Sequence, residues 1–114
     1  MRRALLAAVL VLSACGASRS PEQAIAAAAA ARPADERLAG LYENSCRGCH
    51  AAPDSGAPLT LDRAAWNPRW SKGEATLIEH TIGGFNGMPA GGQCFTCTAE
   101  DYRALIAFMA AREE

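Results

Sequence analysis

The sequence predicts an all-α domain of four or so short helices, and three observations predict it. Apolar residues recur at helical spacing in several segments of the C-terminal two thirds of the chain. No segment alternates apolar and polar residues convincingly, as a half-buried strand would. Loops rich in glycine and proline stand between the periodic segments, where short helices would be separated.

Each element follows in order. Residues 35–44 read as a first helix, with Leu38, Leu41 and Tyr42 at i, i+3 and i+4 on one face, and it runs straight into Cys46. Residues 51–59 are a loop carrying Pro53, Gly56 and Pro58. Asp62 is placed to cap a short helix reaching Trp66, which Pro68 limits. Residues 74–82 form a third helix, with Leu77, Ile78 and Ile82 on one side and Gly83-Gly84 as its stop. The loop 85–95 is rich in glycine and carries Met88-Pro89. Thr98 and Asp101 approximate a capping box, opening a last helix with Tyr102, Leu105, Ile106 and Met109 on its buried face. No internal repeat is visible.

The N-terminus reads as export and anchoring. Arg2 and Arg3 precede an apolar stretch, 4–12, that is too short for a spanning helix of about 20 apolar residues. Residues 1–14 are thus a bacterial secretory signal. The run Leu12-Ser13-Ala14-Cys15 resembles a lipobox, which makes Cys15 the lipidated first residue of the mature protein. The alternative is an ordinary signal cleaved near Ala14 or Ala17. Residues 15–33 read as an alanine-rich tether; the run 26–31 favours helix by propensity but shows no larger apolar face to bury. If flexible, this stretch reaches roughly 25 Å.

A chain starting at Cys15 has 100 residues, of which 34–114 form the folded domain. That length supports only a marginal core unless something staples it. Removing Arg2 and Arg3 leaves 9 basic and 12 acidic residues, a net charge of −3. This balance argues against nucleic acid and mildly favours partners with a basic docking face.

The four remaining cysteines form two Cys-x-x-Cys pairs, Cys46/Cys49 and Cys94/Cys97. Two such pairs also describe a zinc ribbon. Against that stand the 44 residues between the pairs, the redundant His50 and the oxidising compartment, which favours a local disulfide at the second pair. Cys46-Arg47-Gly48-Cys49-His50 carries more weight, because Cys-x-x-Cys-His is a haem-attachment signature. One turn of backbone presents both thiols to the porphyrin vinyl groups, and the following histidine comes beneath the iron as proximal ligand. Covalent haem would supply the missing staple.

The candidates for the second axial position are Met88, Met109 and His80. Met88 sits in a loop able to turn its thioether inward, with Pro89 fixing the backbone after it. Met109 lies in the apolar stripe of the last helix, where packing is its default role. His80 is mid-helix beside Glu79 and reads as a solvated residue. Met88 is therefore the expected ligand. A His/Met set leaves no open coordination site, so the iron transfers electrons and binds no substrate.

At this point the chain resembles a class I c-type cytochrome, most closely the bacterial cytochrome c-five subgroup. Tyr42 stands four residues before Cys46, as the aromatic of that class does. Gly56-Ala57-Pro58, Ala65-Trp66, Lys72-Gly73, Gly84-Phe85-Asn86-Gly87-Met88-Pro89 and Cys94-x-x-Cys97 resemble the subgroup's landmarks in order. The resemblance implies a fold in which first and last helices cross around one covalent haem with an exposed edge. It implies that Pro58 accepts a hydrogen bond from His50, that Trp66 packs close to the haem, and that Cys94 and Cys97 form a disulfide. One departure is Leu38, where the class has glycine at the helix crossing. Asp62, Glu74, Glu79, Glu100 and Asp101 read as caps and solvated faces, and no nucleophile or acid/base pair is evident. The expected activity is non-enzymatic. A periplasmic, lipid-anchored monohaem carrier would exchange electrons with redox proteins of a respiratory or related chain, with a weak homodimer through the haem edge left open.

Overall fold

The computed structural model describes residues 18–112, and they are helical, with no strand among them. Ser20 opens helix α1, Pro21–Ala30, through a reciprocal capping box with Gln23, and Pro21 occupies its first turn. Helix α2, Glu36–Leu41, is capped by Asp35 and leads into a π-helical turn, Tyr42–Cys46, and then α3, Arg47–His50. Counted as one rod from Glu36 to His50, these give five helices among the described residues. Helix α4 is Arg63–Trp70, α5 is Glu74–Gly83 and α6 is Ala99–Met109, with a short 3₁₀ turn at Ala90–Gln93.

The core forms where α2, α4, α5 and α6 meet: Tyr42, Trp66, Leu77, Leu105, Ile106, Phe108 and Met109 are all buried there. Tyr42 meets Phe108 edge-on, with ring centroids 5.2 Å apart. Arg37 of α2 reaches Asp101 of α6 at 2.5 Å. The fully buried small residue of α2 is Ala39, one place after Leu38, while open space surrounds Gly40.

Three expectations are corrected. Pro68 does not limit the helix at Trp66, because α4 continues to Trp70. The carbonyl that Pro68 leaves without a helical donor belongs to exposed Ala64, where water can serve it. Running on also lets Trp70 pack against the core one turn after buried Trp66. The first helix does not stay α-helical to residue 44, since the π turn starts at Tyr42. Asp101 is no solvated face: it caps α6 and is 3% exposed, sealed by the Arg37 guanidinium.

The alanine-rich stretch is helical over Pro21–Ala30. Ala24, Ala28 and Ala31 are buried along one side of the segment, and no larger apolar residue is needed because small side chains let the backbone lie close. The secretory signal, the lipobox and Cys15 lie outside the described residues. No described helix is long and apolar enough to cross a membrane.

Candidate functional site

The π turn and α3 present Cys46, Cys49 and His50 within one stretch of helical backbone. Both thiols are free. Cys46 packs against the core, and burial pushes its thiol up to about 11; Cys49 is exposed. His50 is 7% exposed, and its Nδ1 lies 2.8 Å from the Pro58 carbonyl oxygen. A carbonyl only accepts, so Nδ1 carries the hydrogen and Nε2 keeps its lone pair for a metal. Burial pulls the ring's pKa below its ordinary value against the opposing pull of the Pro58 bond, with Arg69 adding a smaller depression. The Trp66 ring stacks on the imidazole at 5.7 Å and 26°.

The segment after Pro58 is a strap held by hydrogen bonds to this site and to the adjoining core. Leu59 O accepts from Trp66 Nε1 at 2.9 Å. The Thr60 backbone N–H donates to His50 O at 2.8 Å, and its hydroxyl accepts from Tyr42 at 2.9 Å. Leu61 N–H donates to Met109 O at 2.7 Å, with Leu61 itself at φ +66. The sequence pointed only to Pro58. Leu59, Thr60 and Leu61 contribute mainly backbone groups, which carry no residue signature; Thr60 alone contributes a side chain.

Met88 stands in a loop with firm supports. Gly84 ends α5 at φ +84, and a Cβ there would come within 3.1 Å of Ala90 N and 3.2 Å of Met88 O, so only glycine lets the loop fold back this closely. Phe85 and Met88 exchange backbone hydrogen bonds at 3.0 and 2.9 Å. The Tyr102 hydroxyl lies 3.0 Å from both Gly91 O and Cys94 O, tying the loop to α6. Gly92, at φ +54, lies under the Met88 side chain: a Cβ there would be 3.0 Å from Met88 Cε. Met88 is half-buried. Met109 is 4% exposed inside the core, and His80 stacks flat on Phe85 at 3.9 Å.

Cys94 and Cys97 are joined in a disulfide with Cα atoms 5.4 Å apart. That bond removes the second thiol pair from any four-cysteine zinc site. What stays available is two free thiols, an imidazole with its Nε2 lone pair uncommitted, and a half-buried thioether in a braced loop. This donor set fits a haem c.

Comparison with known proteins finds matches over most of the described residues. The family described as cytochrome c oxidase, cbb3-type, subunit III matches residues 33–109. Cytochrome c5 of Ectopseudomonas mendocina is 35% identical over 85 residues, 73% of this chain and 93% of that protein. Cytochrome c-555 of Prosthecochloris aestuarii is 40% identical over 55 residues, 48% of this chain and 56% of that protein. A mono-haem ferrocytochrome c from Shewanella putrefaciens superposes with a TM-score of 0.59 at 40% identity, covering 70% of this chain and 96% of that one. A chain from an electron transfer complex of nitrite reductase with cytochrome c superposes with a TM-score of 0.60 at 29% identity, covering 70% of this chain and 98% of its own.

Proposed function

Since this chain belongs to the c-type cytochrome family, we propose that it is a monohaem electron carrier held on the periplasmic side of a bacterial membrane by a lipid on Cys15. Haem c, one per chain, supplies reversible one-electron cycling between ferrous and ferric iron when bound. Cys46 and Cys49 would hold it through their thiols, and His50 Nε2 and Met88 Sδ would be the donors to its iron. The observation that carries this assignment is the His50–Pro58 hydrogen bond at 2.8 Å, beside two free thiols.

The chain's residues have distinct tasks. Pro58 fixes the imidazole tautomer and enriches Nε2 as a donor. Trp66, held through its own N–H to Leu59 O, restrains the ring from one face. Gly84, Gly92 and Tyr102 set the loop that carries Met88. With His50 and Met88 both donating to the iron, the centre would be closed to substrate, so electron transfer rather than catalysis would be its work.

The partners are redox proteins. One structural relative is a cytochrome c solved in complex with nitrite reductase. Here Phe85 and Phe95, 45% and 89% exposed, flank the Met88 loop, and an exposed apolar rim beside the redox centre suits brief docking. The exported chain's net charge of −3 favours a basic face on the partner.

An optical spectrum of the protein expressed in the periplasm, oxidised and then reduced, tests the centre. Haem that resists acid extraction and an iron–methionine charge-transfer band in the oxidised form support the assignment. Covalent haem without that band overturns Met88, and absence of haem in the presence of the maturation proteins overturns the whole centre. The anchor is tested separately, by fractionating parent and Cys15→Ser cells. Release of the variant from the membrane is the expected result, and unchanged partitioning would refute lipid anchoring.

A further inference from the structure

We infer that Arg19 and helix α1 form a positioning brace for His50, acting through the strap 58–61. This rests on the reading of His50 as an axial donor. Arg19 Nη1 donates to Leu61 O at 2.6 Å, across 42 positions of sequence. On the other side of the same residue, Leu61 N–H donates to Met109 O at 2.7 Å. Leu61 is therefore gripped from both sides, and it needs to be, because leucine at φ +66 lies in a region that side chains with a Cβ disfavour. Three residues earlier, the strap's other end is the Pro58 carbonyl that sets the His50 ring.

Helix α1 places Arg19. Ser20 and Gln23 cap each other immediately after it, fixing where the arginine leaves the helix. Ala28 is fully buried and Ala24 nearly so. At the far end Arg47, inside the attachment motif, donates from Nη2 to Ala29 O at 3.1 Å. The helix is thus latched at one end to the strap and at the other to the turn that carries both thiols. Residues 18–31 precede the family match, which starts at residue 33. If the Arg19 latch is lost, the strap relaxes more often and the His50–Pro58 bond opens with it. A weaker bond at Nδ1 makes Nε2 a poorer donor, favours ferrous iron and raises the potential.

The haem-loaded mature protein provides the test. Solvent exchange of the His50 Nδ1–H and the midpoint potential are followed in the parent, Arg19→Ala, Arg19→Lys and Ala28→Glu. Arg19→Ala should exchange that proton about tenfold faster and move the potential upward, while the Leu105 amide in α6 exchanges at the parental rate. Arg19→Lys should restore most of both effects, and Ala28→Glu, which expels α1, should reproduce the alanine variant. Parental exchange and potential in Arg19→Ala overturn the brace, as does acceleration shared equally by Leu105, which marks general destabilisation. Hyperfine-shifted His50 ring resonances in the parent report separately on whether His50 ligates iron. Their absence overturns the ligand assignment while leaving the exchange comparison intact.

Discussion

The Tyr42 hydroxyl donates to the Thr60 hydroxyl at 2.9 Å, and both residues are completely buried. The bond joins the aromatic that precedes the attachment motif to the strap that orients His50, and burial raises the Tyr42 pKa. Tyr42→Phe leaves the Thr60 hydroxyl without its donor in a dry site, so it should cost about 1–3 kcal/mol. Thr60→Val should cost a similar amount, and the double variant less than the sum. Urea denaturation at pH 7 measures all three as shifts in midpoint at unchanged slope; additive single effects would show that the two hydroxyls are not coupled.

Met88 and Met109 should separate cleanly. Met88→Ala is expected to retain haem, lose the charge-transfer band, open the iron to added ligands and lower the potential. Met109→Ala removes a side chain that is 4% exposed in the core, so it should cost about 2–5 kcal/mol and leave the band in place. Spectra and denaturation of the two variants decide the matter, and interchange of the two outcomes would reassign the axial ligand.

Gly84→Ala and Gly92→Ala test the loop. Each places a Cβ at positive φ, the first against the backbone of Ala90 and Met88, the second 3.0 Å from Met88 Cε. Gly84→Ala faces rigid backbone and should destabilise by more than about 1 kcal/mol. The neighbour of Gly92→Ala is a flexible methyl, so its effect should appear mainly as a shifted charge-transfer band. Thermal denaturation and the oxidised spectrum distinguish the two.

Acid should weaken the helix crossing through Asp101. The Arg37 guanidinium and the Thr98 N–H hold its carboxyl well below the ordinary value of 3.8, against the opposing effect of burial. A depressed native pKa stabilises the fold fully above the unfolded pKa, and that stabilisation is lost as pH falls through the native one. The loss attributable to Asp101 should therefore begin near pH 4 and continue below it. Arg37→Ala should move the transition upward, and Asp101→Asn should remove this contribution to the acid limb. Denaturant midpoints between pH 6 and pH 2 measure it.

Much of the site was legible because its chemistry depends on residue type at fixed local spacing. Cys46, Cys49 and His50 must follow one another within one turn, so five residues announce them. The capping box at Thr98 and Asp101 and the stop at Gly84 are likewise local, and both stand where the sequence put them. Pro58 came from the family resemblance, and the structure places its carbonyl on His50. The reach of α4 past Pro68 was hidden because the gain from packing Trp70 depends on a core built by other helices. The burial of Asp101 was hidden for the same reason, since Arg37 is 64 residues away.

The sequence by itself determined the helical class, the attachment turn and the loop carrying Met88, because each arises from periodicity, motif spacing or turn chemistry within a few residues. The Cys94–Cys97 pairing was an expectation from the oxidising compartment and the family resemblance, and the structure joins the two. Only the tertiary structure decided the strap 58–61, the Tyr42–Thr60 bond and the docking of an alanine helix beneath Arg19. Those features rest on backbone groups, on two hydroxyls 18 positions apart in sequence and on methyl-sized side chains. Their stability comes from what is brought against them, and no local pattern encodes that.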